Sequence, residues 1–283
     1  MRVADRLIVA SSVSDAWLRT VQVALDAPDH KLFHAVTSIA EPSADDSAVR
    51  SRVNGLLHDK GMAPIETVAN TIFPYRMAAT AASPAVLVDR YRKAYPTIRR
   101  FVPNRWGTYF GRIVSYPSDA GPVDQLGETI RRLNEERRGG RPKSARYELS
   151  VMEPSDISRP LPADEEPEGG TCEIPVAIRQ VSDKNPMAFP CLSHCSFQLD
   201  GDTLHAVAHY RSQYLVQRAY GNYLGLGRLL EYVARQVDAQ PGHLLVVAGY
   251  AQLDGAAIRR VRQLLADLNQ PAKTSATSTE VST

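Results

Sequence analysis

Four residues in the last third of the chain have the types that covalent and recognition chemistry need. Cys191 follows a proline, Arg211 stands twenty positions later with Ser212 beside it, and Asn222 stands thirty-one positions after Cys191. A thiolate is a strong nucleophile, and free Cys titrates near ~8.5, so a neighbouring cation raises the thiolate fraction at neutral pH. Arg211 is such a cation, and its planar guanidinium can hold an oxyanion at two points in a way Lys cannot. Ser212 adds a hydroxyl donor, and the Asn222 amide offers one donor and one acceptor to a ligand edge. Taken singly, each has a plainer explanation. A lone Cys is usually a small buried apolar group, an Arg on a strand is usually solvated, and an Asn ahead of an apolar helix is usually its N-cap. His194 and Cys195 lie close to Cys191, but three such residues on one strand or turn lack the second ligand pair of a zinc site, so no metal is expected.

The elements that must carry these residues follow from periodicity. Leu204, Ala206, Ala208 and Tyr210 alternate as in a half-buried strand leading into Arg211, and Leu226, Leu229, Leu230 and Val233 share one face of a helix after Asn222. Leu244 to Ala248 reads as a buried strand, and Ile258, Val261, Leu265 and Leu268 as a last amphipathic helix. Earlier, residues 6–13 read as a strand followed by a helix through Trp17, Val21 and Leu25. Glu66 to Phe73 reads as a buried helix ended by Pro74, Tyr91 to Ile98 as helical, and a further helix starts after Pro122. Tyr147 to Val151 should be a strand. The mixed order predicts an α/β (α+β) fold in one domain over residues 1–270. It carries an inserted Pro- and acid-rich surface loop at about 154–170, and a disordered Ser/Thr-rich tail follows at 271–283.

Composition narrows the function classes. With 33 Lys and Arg against 31 Asp and Glu, the chain has no overall field to draw it to nucleic acid or an anionic membrane. Its longest apolar stretch, Leu244 to Gly249, is far short of the ~20 residues of a membrane span, and Met1 to Ala10 lacks a signal-type apolar core, so a cytoplasmic location is expected. Cys172, Cys191 and Cys195 are an odd set, which argues against a disulfide framework.

The order Pro190-Cys191, Tyr210-Arg211-Ser212, Asn222 and Gly249, at these intervals, resembles the thymidylate synthase and pyrimidine nucleotide hydroxymethylase superfamily. The resemblance covers about a quarter of the chain, from Phe189 to Asp254. It implies a three-layer fold with a mixed β-sheet at a homodimer interface. It also implies a pyrimidine nucleoside monophosphate substrate, and 5,10-methylenetetrahydrofolate as the donor of a one-carbon unit to C5. In that chemistry the Cys191 thiolate adds to C6 of the base and pushes electron density to C5. Arg211 and Ser212 hold the 5′-phosphate, and the Asn222 amide accepts from uracil N3–H and donates to O4. Glu66, at the start of its apolar helix, takes the place of the family's essential acid/base, and Arg146 that of the Arg that reaches a partner's phosphate.

The chain departs from the family at several positions. The stretch from Gly249 to Asp254 lacks the family's sugar-binding His and Tyr, leaving Gln252 and Asp254 to bond the sugar hydroxyls. Leu192 replaces a His and Tyr214 a folate-contacting Asp, and the tail has no apolar closing peptide. These changes favour a C5 hydroxymethyltransferase over a methyltransferase, acting on dUMP or UMP, because a looser lid admits water. The alternatives are a cytosine nucleotide (dCMP or CMP) hydroxymethylase and a non-catalytic nucleotide-binding protein that has lost folate.

Overall fold

The computed structural model describes residues 7–105, 107–116, 121–139, 148–150 and 190–269. Among them a six-stranded mixed sheet, in the order β1-β2-β6-β5-β4-β3, carries nine α-helices. The strands are β1 (Leu7–Ser12), β2 (Lys31–Glu41), β3 (Glu148–Ser150), β4 (Leu192–Asp200), β5 (Thr203–Tyr214) and β6 (Gln240–Gln252). β1 runs parallel to β2 and β5 parallel to β6, while the β2/β6, β5/β4 and β4/β3 pairs are antiparallel. The fold is therefore mixed α/β, as the order of periodic segments predicts. The expected loop at 154–170, the tail at 271–283, Cys172 and Arg146 lie outside the described residues.

The helices α1 (Val13–Asp26), α2 (Ser47–Asp59), α3 (Ile65–Ile72), α4 (Tyr75–Ala79), α5 (Pro84–Ile98), α6 (Tyr109–Val114), α7 (Gln125–Gly139), α8 (Tyr220–Gln236) and α9 (Ile258–Asn269) complete the chain. α1 begins where the Ser12 hydroxyl accepts from the Asp15 N–H, leaving Val13, Trp17, Val21 and Ala24 on its buried face against the sheet. α8 also packs on the sheet, and α3 packs on α8. That last contact is very close. A Cβ on Gly221 would sit 2.5 Å from Val68 Cβ, and one on Gly225 would sit 2.8 Å from the Ala69 carbonyl oxygen. Only glycine lets the two backbones approach this far.

The sheet kinks where the site forms. Along β2, β5 and β6 buried residues alternate until Ala35, Tyr210 and Ala248, and the next buried residues are Leu32, Gln213 and Ala251. Two residues separate these core positions instead of one. Ala35 and Tyr210 both pair with Ala248, and Leu32 and Gln213 both pair with Ala251, so the irregularity is aligned across three strands. His34, at φ 54°, marks it on β2. On β6 a Cβ at Gly249 would meet the Arg211 carbonyl oxygen at 3.2 Å. Arg211 and Ser212 occupy the irregular level on β5, which breaks strand alternation just where their side chains must be directed.

The face of the sheet opposite α1 and α8 carries exposed apolar residues at its β1 edge. Leu7 and Val9 are 57% and 62% exposed, and the row Leu7, Val36, Val247, His209 runs across four strands. Among the described residues no helix is long and apolar enough to cross a membrane.

Candidate active site

A cavity of about 310 Å³ opens between α3, the loop before α6, the entry to β4, the end of β5 and the start of α8. Cys191, Ser212 and Asn222 all line it. The β4–β5 hairpin sets the first two: Leu192 pairs with Tyr210, so Cys191 and Arg211 extend the pair outward, and the Arg211 N–H donates to the Cys191 carbonyl at 2.8 Å. Ser212 then lies with its Oγ 3.6 Å from Cys191 Sγ. Cys191 is half-buried, and its N–H donates to the Tyr109 hydroxyl at 3.2 Å. Burial, with Cys191 beside it, pushes the Tyr109 phenol up to about 12, so it is protonated at neutral pH. Cys195, four positions on, is buried within β4, and burial pushes its thiol up to about 12. It is an inert core residue.

Asn222 is not an N-cap. It is the third residue of α8, whose N-cap position is Ala219 in helical conformation, and it is only 4% exposed. Its amide makes no hydrogen bond with the described residues and faces the cavity across from Thr67 and Thr71 of α3. Gln213, 3% exposed, joins the same wall. Its Oε1 accepts from the Tyr223 hydroxyl at 3.5 Å, and its Nε2 is buried without a partner. A buried amide nitrogen without a partner costs about 1–3 kcal/mol, so Gln213 Nε2, on the same lining as the unbonded Asn222 amide, marks a surface shaped for a ligand with its own donors and acceptors.

The other expected residues are placed elsewhere. The Arg211 guanidinium donates from Nη2 at 2.6 Å and Nε at 3.3 Å to the Pro190 carbonyl, and it does not line the cavity. It holds the peptide that precedes the thiol. Glu66 turns away from the cavity and makes a two-point ion pair with Arg228, at 2.8 and 3.0 Å. The hydrogen bonds from Arg228 hold its carboxyl below the usual range, which keeps it ionised. Gln252 accepts from the Tyr250 hydroxyl at 2.6 Å and lies off the lining. Asp254 is 9% exposed and bonds the chain between β5 and α8: Oδ2 accepts from the N–H groups of Val216 and Gln217, and Oδ1 from Gln217 Nε2.

Sequence reasoning missed Tyr109, Gln213, Gln217, and the two arginines on the lining, Arg112 and Arg218. Gly111-Arg112 sits in an aromatic, Gly-punctuated run, which was the available signal for α6. Nothing local distinguishes Arg218 from a solvated surface residue. Among the described residues the lining contains these two arginines and neither Asp nor Glu, a balance that favours an anionic ligand. Among the described residues no group of His, Cys, Asp and Glu is arranged to hold a metal ion.

The same inventory bears on folate. A pterin presents several N–H donors, and the described lining residues offer them no carboxylate, while the Gln217 amide is already tied to Asp254. The volume stands at the lower end of the ~300–1,000 Å³ of small-molecule sites. The described residues fit a nucleotide-sized anion, and none of those on the lining is a carboxylate that would accept from a pterin. Compared with known families and with curated proteins, the chain matches no family model and no characterised sequence.

Proposed function

We propose that the protein binds a pyrimidine nucleoside monophosphate and activates C5 of its base by adding the Cys191 thiol to C6. The observation that carries this is the composition of one wall: a half-buried thiol 3.6 Å from a hydroxyl, facing a cavity that also presents the unbonded Asn222 amide and, among the described residues, no carboxylate. Pyrimidine C5 is too weak a carbon nucleophile to react unaided. Forming the S–C6 bond moves the C5=C6 electron pair onto C5 and O4, giving an enolate that takes up a proton or an electrophilic carbon at C5. Asn222 accepts from N3–H and donates to O4, where that negative charge develops. Tyr109 is a protonated hydroxyl on the lining and a donor for the same charge.

Bound 5,10-methylenetetrahydrofolate would supply a one-carbon unit for methyl or hydroxymethyl transfer. The chemistry that the lining residues account for ends at the C5-activated adduct. The protein works as a homodimer joined through the sheet face that carries the exposed Leu7 and Val9, in the three-layer arrangement of the thymidylate synthase type. A second reading, nucleotide binding without turnover, is favoured by the pairing of Glu66 with Arg228, which leaves no carboxylate base among the described lining residues.

Exchange of C5 hydrogen separates the two. With C5-tritiated dUMP or UMP, the wild type should release tritium to water, Cys191→Ala should abolish release while still binding nucleotide, and Cys195→Ala should retain both. Binding without any exchange would establish the non-catalytic alternative. Loss of exchange on Cys195→Ala instead of Cys191→Ala would refute the assignment of the nucleophile.

A further inference from the structure

A single π turn, Leu215–Ala219, joins β5 to α8. Such turns are rare and occur frequently at functional sites. This one is pinned from two directions. Trp17 Nε1 donates to the Leu215 carbonyl at 2.8 Å, and Asp254 Oδ2 takes the Val216 and Gln217 N–H groups at 3.1 and 3.3 Å. Two of the turn's N–H groups are thus already occupied by a carboxylate, and what it offers the cavity is side chains, those of Gln217 and Arg218.

Arg218 is exposed, lines the cavity, and makes neither hydrogen bond nor ion pair with the described residues. It shares the cavity lining with Tyr109, whose hydroxyl accepts from the Cys191 N–H, and with Cys191 itself. Arg211, by contrast, directs its guanidinium at the Pro190 carbonyl. A guanidinium with no partner among the described residues, on a lining whose described residues include no carboxylate, is a binding site for an oxyanion.

We propose that Arg218 is a specificity-determining residue that binds an oxyanion of the ligand, and that Asp254 is its positioning residue, holding the π turn that aims it. The proposal deepens the nucleotide assignment and rests on it for the identity of the ligand alone. The oxyanion has two candidate sources, the phosphate of the nucleotide and the carboxylate of a second substrate such as a tetrahydrofolate.

Calorimetric titration of the full chain with inorganic phosphate, dUMP, deoxyuridine and tetrahydrofolate tests it. Arg218→Gln should weaken phosphate and dUMP by about tenfold or more and leave deoxyuridine within about twofold, with Arg218→Lys recovering part of the loss. Asp254→Asn should weaken the same anions and spare deoxyuridine. A merely structural Asp254 would weaken all ligands alike, which would overturn its positioning role. If tetrahydrofolate loses affinity in Arg218→Gln while dUMP does not, the anion is the carboxylate and the residue's role stands. Phosphate binding that depends on Arg218, with no binding of dUMP or deoxyuridine, would uphold Arg218 and sink the pyrimidine assignment. Unchanged affinities in Arg218→Gln, equal losses for nucleotide and nucleoside, or a wild type that binds none of the four would overturn the proposal.

Discussion

Replacing Gly225 by Ala perturbs the contact that sets the depth of the cavity. The new Cβ would lie 2.8 Å from the Ala69 carbonyl oxygen, 3.0 Å from Ile72 Cβ and 3.1 Å from Ala69 Cα. Ordinary contacts between carbon atoms fall at ~3.5–4.0 Å, and two of these three neighbours are backbone, so α3 must retreat by roughly half an ångström. Overpacking of this kind costs about 1–3 kcal/mol, and Ala regains about 1 kcal/mol of helix propensity over Gly. The net expectation is a loss of up to ~2 kcal/mol, or up to several degrees in Tm at ~2–4 °C per kcal/mol. Gly55 supplies the control. It lies exposed within α2 with nothing within 4 Å of a new Cβ, so Gly55→Ala should gain ~0.5–1 kcal/mol. Thermal and urea unfolding of both variants reads the sign directly. Nucleotide titration adds a second readout, because retreat of α3 carries Thr67 and Thr71 away from Asn222 and should weaken binding in Gly225→Ala alone. A stabilised Gly225→Ala, or equal shifts in the two variants, would refute the claim that backbone approach at this position shapes the cavity.

The Glu66–Arg228 pair should act on stability and spare chemistry. Glu66→Gln should cost about 0.5–1 kcal/mol at pH 7, since the carboxylate side is 40% exposed and solvent screens the pair. Because its folded-state pKa lies below the ordinary 4.5, that contribution is present above this value and is lost as pH falls through the lowered one. Unfolding measured from pH 7 to pH 3 should show the gap between the proteins closing, and tritium release should persist; a gap that widens on acidification, or a dead variant, contradicts the pairing. Asn222→Asp should shift preference from uracil toward cytosine nucleotides by roughly 1–3 kcal/mol, the cost of one stranded buried polar group, read by competition of UMP against CMP. Unchanged selectivity would mean that another group, with Gln213 the first to test, reads the base.

Much of the architecture was legible because burial imposes regular periods. The alternation of Leu204, Ala206, Ala208 and Tyr210 identified β5 up to its last regular position, and it failed at Arg211, where the aligned kink adds a residue between core positions. β2 escaped notice for a related reason: Asp29, His30 and His34 all have φ between 52° and 56°, so its approach and its middle break the pattern a strand should show. At the site, α3 shows where periodicity stops. Thr67 and Thr71 are four apart and share a face, and Glu66 does not share it; which face meets the cavity was decided by Arg228, 162 positions away in sequence. Asp254 is similar, since its role depends on amides at 216 and 217 that no local pattern links to it.

The two intervals that marked the site now have physical causes. The twenty-residue interval is a property of the β4–β5 hairpin. Once Asp200 pairs with Thr203 across its turn and Leu192 with Tyr210 at its far end, Cys191 and Arg211 are neighbours and their backbones bond. A hairpin longer or shorter by one residue would break that register, because successive side chains on a strand point to opposite faces. The thirty-one-residue interval adds the end of β5, the π turn and the first turn of α8. A π turn spends one residue more than an α turn would, and each residue rotates a helix by about 100°. Without the extra residue, Asn222 would face away from the cavity and Gly221 and Gly225 would lose their seat against α3. The same inserted turn therefore sets the amide wall, the depth of the cavity and the placement of Arg218, and Asp254 holds all three by closing the turn's N–H groups.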